Sequence, residues 1–70
     1  MTNKNSLSEK ILKIDDFLKH MRTAEEIKLE LKDRFGHNFK LSDIRVNLLY
    51  LLRREKIKRK KDGKIYKYYL

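Results

Sequence analysis

The residue types best suited to binding chemistry are cations gathered near the C-terminal end of the chain. Nine of the nineteen Lys and Arg residues lie between Arg53 and Lys67. Only Glu55 and Asp62 are acidic there, so this segment carries +7 of the formal net charge of +9. Clustered cations attract polyanions, and each phosphate that they neutralise releases bound counterions. The segment therefore favours DNA, RNA or an anionic membrane surface as a partner, and the alternative is a solvated, highly charged surface.

Residue types that carry catalysis or bind metals are not arranged for either role. The chain has no Cys, and His20 and His37 have no paired carboxylate at metal-ligand spacing. Gly36 and Gly63 are isolated, so no phosphate-cradling loop is present. We therefore expect a protein that is not an enzyme and that uses no cofactor or metal ion.

The length and composition predict one small intracellular domain. Seventy residues bury only about 60% of the unfolded surface, which leaves a modest core. No apolar run approaches the roughly 18 residues of a membrane span, and the first residues lack a signal-peptide pattern. We expect a cytoplasmic protein without a membrane partner. If the chain is encoded by a virus, we expect it in the cytoplasm or nucleoid of the host.

The region before the basic segment is patterned for helices, the first of them over about residues 7–20. Ser6 and Glu9 have the spacing of a capping box, which satisfies free backbone N–H groups at a helix start. Apolar residues then recur every three or four positions, as one face of a helix requires: Leu7, Ile11, Ile14, Leu18 and Met21. Residues 1–5 lack this pattern and are predicted to be a disordered tail, which leaves 6–70 as the domain.

A second helix is predicted over about residues 24–35. Thr23 and Glu26 form another capping box at its start, and Gly36 is placed to end it in the left-handed conformation. Phe39 and Leu41 then alternate with a lysine. This alternation predicts a short strand within 37–41.

The third helix is predicted over about residues 42–55, with Ser42 as its N-cap. Its buried stripe consists of residues that share one side of the helix: Ile44, Leu48, Leu51 and Leu52. The opposite side carries Ser42, Val46, Tyr50 and Arg53, with Arg45 and Asn47 flanking it. The face expected to meet a partner is therefore part cationic and part apolar.

The basic segment itself is predicted to form a β-hairpin over about residues 56–70. Asp62-Gly63 is a preferred dipeptide for a two-residue type I′ turn. A turn at that point pairs Arg59 with Tyr66, a contact that would suit a structural cation–π pair. It places Ile57, Tyr66, Tyr68 and Leu70 on the face toward the core. It leaves Lys58, Lys60, Ile65, Lys67 and Tyr69 for solvent or a partner.

This succession of elements resembles the winged helix-turn-helix family. The order helix, helix, short strand, helix, strand, strand defines a mainly α fold with a small β-sheet, and the resemblance covers about residues 7–70. In that family, helix 3 and the following strand often carry an apolar residue followed by others four, seven and thirteen positions later. Here these residues are Ile44, Leu48, Leu51 and Ile57. The hairpin, with a glycine turn between basic strands and a Tyr68-Tyr69-Leu70 ending, is similar to the wings of ArsR-like and other prokaryotic regulators.

The resemblance implies that helix 3 enters the major groove of double-stranded DNA while the wing lies along the phosphates. The residues expected at that interface are Ser42, Arg45, Val46, Asn47, Tyr50, Arg53, Arg54, Lys58, Arg59, Lys60, Lys61 and Lys64. Arg45 can pair with guanine, Asn47 with adenine, and Val46 can touch a thymine methyl group. The implied function is transcriptional regulation of a prokaryotic, archaeal or viral genome.

Two other functions remain open on the same residues. The apolar Val46 and Tyr50 also suit a protein interface, which would make the chain a subunit of a replication, transcription or other assembly. Sequence-independent binding of duplex DNA is the second alternative. Leu12, Leu29 and Leu49 fall outside their main helical stripes, so they either widen the core or form a homodimer surface.

Overall fold

The computed structural model describes residues 3–70, with side chains from Leu7 onward. The chain is mainly helical and ends in a two-stranded antiparallel sheet, which confirms the expected mixture of elements. The elements are α1 (Asn3–Lys13), a short 3-10 helix (Phe17–Lys19), α2 (Ala24–Phe35), α3 (Leu41–Arg53), β1 (Lys58–Asp62) and β2 (Ile65–Tyr69). Within residues 3–70, no helix combines the length and apolar character needed to cross a bilayer.

Helix α1 is displaced toward the N-terminus relative to the prediction of 7–20. It begins at Asn3, so Ser6 lies inside it rather than at its cap, and the described part of the expected tail is helical. The prediction for residues 1 and 2 lies outside the described residues. The helix ends at Lys13 because the next residues favour a turn: the Asp15 side chain accepts a hydrogen bond from the Asp16 backbone N–H at 3.0 Å. The 3-10 turn that follows still buries Leu18.

The bounds and both caps of α2 are confirmed. Thr23 Oγ1 accepts from the Glu26 backbone N–H at 3.1 Å, and Glu26 Oε1 accepts from the Thr23 backbone N–H at 2.8 Å. Gly36 ends the helix with φ +66°, in the left-handed conformation that glycine adopts at little cost. These local signals therefore locate α2 to the residue.

An ion-paired cluster connects α2 to the loop after α1. The Arg34 guanidinium donates to both carboxylate oxygens of Asp16, at 2.8 and 2.7 Å, and its Nε donates to Glu30. The hydrogen bonds from Arg34 to Asp16, with the positive charge of Arg34, lower the pKa of Asp16 from 3.8 to about 2. The same contacts raise the pKa of Arg34. Helix α2 is thus linked at the surface to the loop after α1.

The strand predicted within 37–41 is wrong, since residues 36–40 have no regular structure. The segment that pairs with the hairpin in a strand-like way lies before α2 instead. Arg22 forms an antiparallel bridge with Tyr68, in which Arg22 N–H donates to Tyr68 O at 2.9 Å and Tyr68 N–H donates to Arg22 O at 2.6 Å. One edge of β2 pairs with β1, so this bridge occupies the other edge at Tyr68 and attaches the hairpin to the helices.

Helix α3 begins one residue earlier than predicted and ends with a Schellman motif. Its N-cap is Lys40, which makes no side-chain cap hydrogen bond, so the prediction of Ser42 as cap is wrong. At the other end, Glu55 N–H donates to Leu52 O at 3.0 Å and Lys56 N–H donates to Leu51 O at 2.9 Å. Glu55 has φ +59°, a left-handed conformation that is uncommon for a residue with a side chain. This turn directs the chain from α3 into the hairpin.

The hairpin forms, but its turn lies one residue beyond the predicted position. Asp62 pairs with Ile65, so Gly63 and Lys64 form the loop, and Arg59 faces Tyr68 instead of Tyr66. Gly63 has φ +67°, whereas Lys64 is not among the described residues with positive φ. That combination matches a type II′ turn, which needs the left-handed conformation only at its first position.

The core lies where α1, α2 and α3 meet, and the hairpin covers one side of it. Its fully buried side chains are Ile11, Ile14, Leu18, Ile27, Leu31, Ile44, Leu48 and Leu51. Ile57 and Tyr68 are buried from the hairpin as predicted, whereas Tyr66 and Leu70 are about 40% exposed. Met21, predicted for the core, is also exposed. The base of the hairpin is therefore packed and its outer part projects from the domain.

Candidate nucleic-acid interface

The hairpin presents its cations to solvent along the whole of β1. All five residues of this strand are exposed, and alternation divides them between two faces. Arg59 and Lys61 share one face with Tyr66, while Lys58 and Lys60 share the other with Lys67. Cationic groups therefore point to both sides of the hairpin, which suits a phosphate backbone that passes on either side.

Some of these cations have partners within the hairpin. Arg59 stacks on the Tyr66 ring at 4.0 Å from its centroid, although the two residues are diagonal neighbours and not the direct pair that was predicted. Lys67 Nζ lies 3.2 Å from an Asp62 carboxylate oxygen. Among residues 7–70, Lys60 and Lys64 form no ion pair, and both residues are exposed to solvent. Their ammonium groups are therefore accessible to an anionic partner.

A groove between α3 and the hairpin brings together cations that are distant in the sequence. Arg45 lines it from α3, and Arg59 and Lys64 line it from the hairpin. Leu49 and Tyr66 provide apolar surface between them. Three of the predicted site residues, Arg45 of α3 and Arg59 and Lys64 of the hairpin, therefore share one surface.

The groove also contains one acidic side chain, contributed by the start of α2. Glu25 Oε2 lies 3.4 Å from Arg45 Nη2, and both side chains are about 60% exposed. An exposed ion pair at this distance contributes little and is screened by salt. Arg45 therefore remains accessible to a phosphate or a base.

The outward face of α3 is mostly apolar at its centre. Val46 is 54% exposed, Leu49 42% and Tyr50 41%. Residues three and four positions apart are neighbours on a helix, so these side chains form one patch. Ser42 and Arg53 are exposed beside it, as predicted. Leu49 was predicted to widen the core or to form a dimer surface, although its angular position between Arg45 and Ser42 already placed it on this face.

Tyr50 and Arg54 lie on the side of the patch away from the hairpin. The Arg54 guanidinium lies over the Tyr50 ring, 5.1 Å from its centroid. Both residues line a second groove, between α1 and the end of α3, together with Leu12 and Lys56. Leu12 also packs against the core, which supports the broad-core interpretation for that residue.

Asn47 does not belong to the exposed face, and its prediction as an adenine-reading residue is not supported. It is only 5% exposed. Its Oδ1 accepts a 2.7 Å hydrogen bond from Ser8 Oγ of α1, and its Nδ2 donates to Asp43 O at 2.8 Å. The amide is therefore used inside the protein, where it joins α1 to α3.

Comparison of the chain with protein-family models, with curated proteins and with solved structures finds no match. The functional conclusion therefore rests on the residues and geometry described above.

Proposed function

We propose that this chain is a small winged-helix DNA-binding protein that acts as a transcriptional regulator. In this proposal α3 enters the major groove and the β1–β2 hairpin follows the flanking phosphates. The observation that carries the proposal is the groove in which Arg45 of α3 meets Arg59 and Lys64 of the hairpin. Two elements that share a cationic groove can contact adjacent parts of one duplex.

The charge distribution supports DNA over an uncharged partner. The segment from Arg53 to Lys67 carries +7, and the rest of the chain carries only +2. A field concentrated on one part of a small molecule both raises affinity for a polyanion and orients it during encounter. Phosphate contacts of this kind position a protein on DNA, whereas contacts to base edges select the sequence.

The proposal is tested by titrating duplex DNA at several salt concentrations with a variant that lacks two hairpin charges. Lys60→Ala combined with Lys64→Ala should weaken binding to every sequence alike, because both side chains would contact phosphates. The slope of log affinity against log salt should become shallower by roughly 1.8, at about 0.9 per phosphate contact.

A matched control removes two exposed lysines from the helical side, Lys13→Ala with Lys32→Ala. This variant has the same net charge, so it should retain nearly all of the wild-type salt slope. Equal losses in the two variants would show that net charge alone drives binding. Absence of duplex binding by the wild-type chain at low salt would overturn the proposal.

One observation favours a second candidate, a protein-interaction module. The apolar patch of Val46, Leu49 and Tyr50 is the kind of surface that also binds another protein. This candidate predicts that substitutions in the patch abolish partner binding while the hairpin lysines have little influence. The salt titration separates the two candidates because only DNA binding needs Lys60 and Lys64.

A lone module of this size covers few base pairs, so we propose that two copies bind half-sites about one helical turn apart. Leu29 of α2, which is 66% exposed, is then available to join the two copies. Leu49 faces the proposed DNA surface and is less suited to that role.

A further inference from the structure

The exposed face of α3 combines an apolar centre with a cationic border. Val46, Leu49 and Tyr50 form the centre. Cations surround this patch on α3 and across the groove: Arg45, Arg53, Arg54, Arg59 and Lys64. A complementary partner must carry negative charge at its edges and apolar groups between them.

The major groove of duplex DNA meets both requirements only where it contains thymine. Phosphates line its two edges, and the base edges between them present donors and acceptors, with one exception. That exception is the C5 methyl group of thymine, the apolar group that a side chain meets in this groove. A carbonyl or amino group buried against Val46 or Leu49 would lose its hydrogen bonds to water, which is unfavourable.

The side chains that would read hydrogen-bonding patterns are engaged elsewhere or lie at the edge of the face. The Asn47 amide is buried between Ser8 and the Asp43 carbonyl. Arg45 lies at the border of the patch, next to Glu25. The centre of the face therefore contributes van der Waals contact and not bidentate hydrogen bonding.

Resting on the DNA-binding function proposed above, we infer that α3 selects DNA by the 5-methyl groups of its pyrimidines, with Val46 and Leu49 as the contacting residues. The preferred ligand is a duplex rich in A·T pairs. The Arg45, Arg59 and Lys64 side chains hold the phosphates on the hairpin side of that contact. Sequence preference in this arrangement comes from shape and apolar burial, and affinity comes mainly from charge.

The test compares two alternating A·T duplexes that differ only in the methyl group, one with thymine and one with deoxyuridine in its place. Binding is measured by fluorescence anisotropy at several salt concentrations. The deoxyuridine duplex should bind about fourfold more weakly for each methyl group that α3 contacts. The salt slope should not change, because the phosphates are the same. The converse exchange, 5-methylcytosine for cytosine in a G·C duplex, should strengthen binding by a similar factor.

Two variants assign the effect to the helix. Val46→Ala with Leu49→Ala shortens exposed side chains on a helix that remains able to fold, as circular dichroism can check, and it should bring the two duplexes to nearly equal affinity. Lys60→Ala with Lys64→Ala should weaken both duplexes while the preference for thymine persists.

The outcomes separate this inference from the function on which it rests. Equal binding of thymine and deoxyuridine duplexes by the wild-type chain, with the salt effect of Lys60 and Lys64 intact, overturns methyl recognition and leaves DNA binding in place. A thymine preference that survives Val46→Ala with Leu49→Ala also overturns the inference. Failure to bind either duplex at low salt overturns both, and leaves the apolar patch to a protein partner.

Discussion

At the scale of single residues, Asn47 shows how a side chain suited to base recognition can serve the fold instead. Its amide accepts from Ser8 Oγ at 2.7 Å, in a buried hydrogen bond, and donates to Asp43 O at 2.8 Å, in a partly buried one. The partner on α1 is 39 positions earlier in the chain. No local pattern reveals a contact between residues so far apart in the sequence. The helical angle shows only that Asn47 lies 60° around the helix from Ile44, at the margin of the buried stripe.

We predict that Asn47→Ala destabilises the protein by about 1–3 kcal/mol, since it removes a buried hydrogen-bonding group whose partners lose their contact. Chemical denaturation measures the loss. The folded variant should keep the wild-type preference among DNA sequences. A changed sequence preference with unchanged stability would mean that Asn47 reads bases after all.

Ser8→Ala and the double variant complete a thermodynamic cycle for this pair. If the Ser8–Asn47 hydrogen bond carries most of the effect, the double variant should be less destabilised than the two single losses added together. Simple additivity would assign the effect of Asn47 to its bond with the Asp43 carbonyl.

At the scale of elements, two helix ends use the left-handed conformation with different residues. Gly36 ends α2 with φ +66°, and Glu55 follows α3 with φ +59°. A residue with a side chain is strained in this conformation by about 1 kcal/mol, whereas glycine is not. The end of α3 is therefore held by its Schellman hydrogen bonds in spite of its residue type.

This difference predicts opposite effects for two substitutions. Gly36→Ala should lower the free energy of unfolding by about 1 kcal/mol, and Glu55→Gly should leave it unchanged or raise it by up to about 1 kcal/mol. Glu55→Ala serves as the control for loss of the carboxylate, because it keeps the Cβ. Thermal or chemical denaturation of the three variants gives the comparison, and a destabilised Glu55→Gly variant would contradict the assignment.

Local signals in the sequence located some elements well. The Thr23 capping box and Gly36 predict α2 because every group that sets its ends lies within a few residues. The buried stripe of α3 was also correct at Ile44, Leu48 and Leu51, since helical periodicity alone determines it.

Other elements depend on contacts that the sequence does not display. The strand expected within 37–41 is absent, and the edge of β2 that it would have joined pairs with Arg22 at Tyr68 instead. The hairpin turn lies one residue further along than predicted, with Gly63 at its first position instead of its second, and glycine is favourable at either position. The shift changes the partner of Arg59 from Tyr66 to Tyr68, which is two residues along the strand. Because side chains alternate between faces with a period of two, each side chain keeps its predicted face.

The same division applies to the candidate site. The exposure of the hairpin cations follows from their number, since a core of this size has no room for them. The groove shared by Arg45, Arg59 and Lys64 requires the angle between α3 and the hairpin, which depends on the Glu55 turn and on the Arg22–Tyr68 bridge.

At the scale of the whole molecule, the net charge of +9 opposes association of two free copies. The apolar groups available for a dimer are few. Leu12 packs against the core, Leu49 lies beside cations in the groove, and Leu29 stands near the carboxylates of Glu26 and Asp33. DNA would neutralise the charge and bring copies together.

We therefore predict that the chain sediments as an 8.6 kDa monomer without DNA and that two copies assemble on a duplex with two half-sites. Leu29→Lys should leave the free monomer unchanged and reduce the second binding event. A stable dimer in the absence of DNA, lost in Leu29→Lys, would contradict the role given to charge repulsion.

The full exposure of β1 has a consequence for the lifetime of the protein. The described strand partner of β1 is β2, which is itself bridged to Arg22, so β1 can open locally while β2 and the helices stay folded. Proteases that cleave after lysine or arginine would meet four such residues in a row, at Lys58, Arg59, Lys60 and Lys61. A bound polyanion would cover this run of cleavage sites, so occupancy of the hairpin would also influence how long each copy survives.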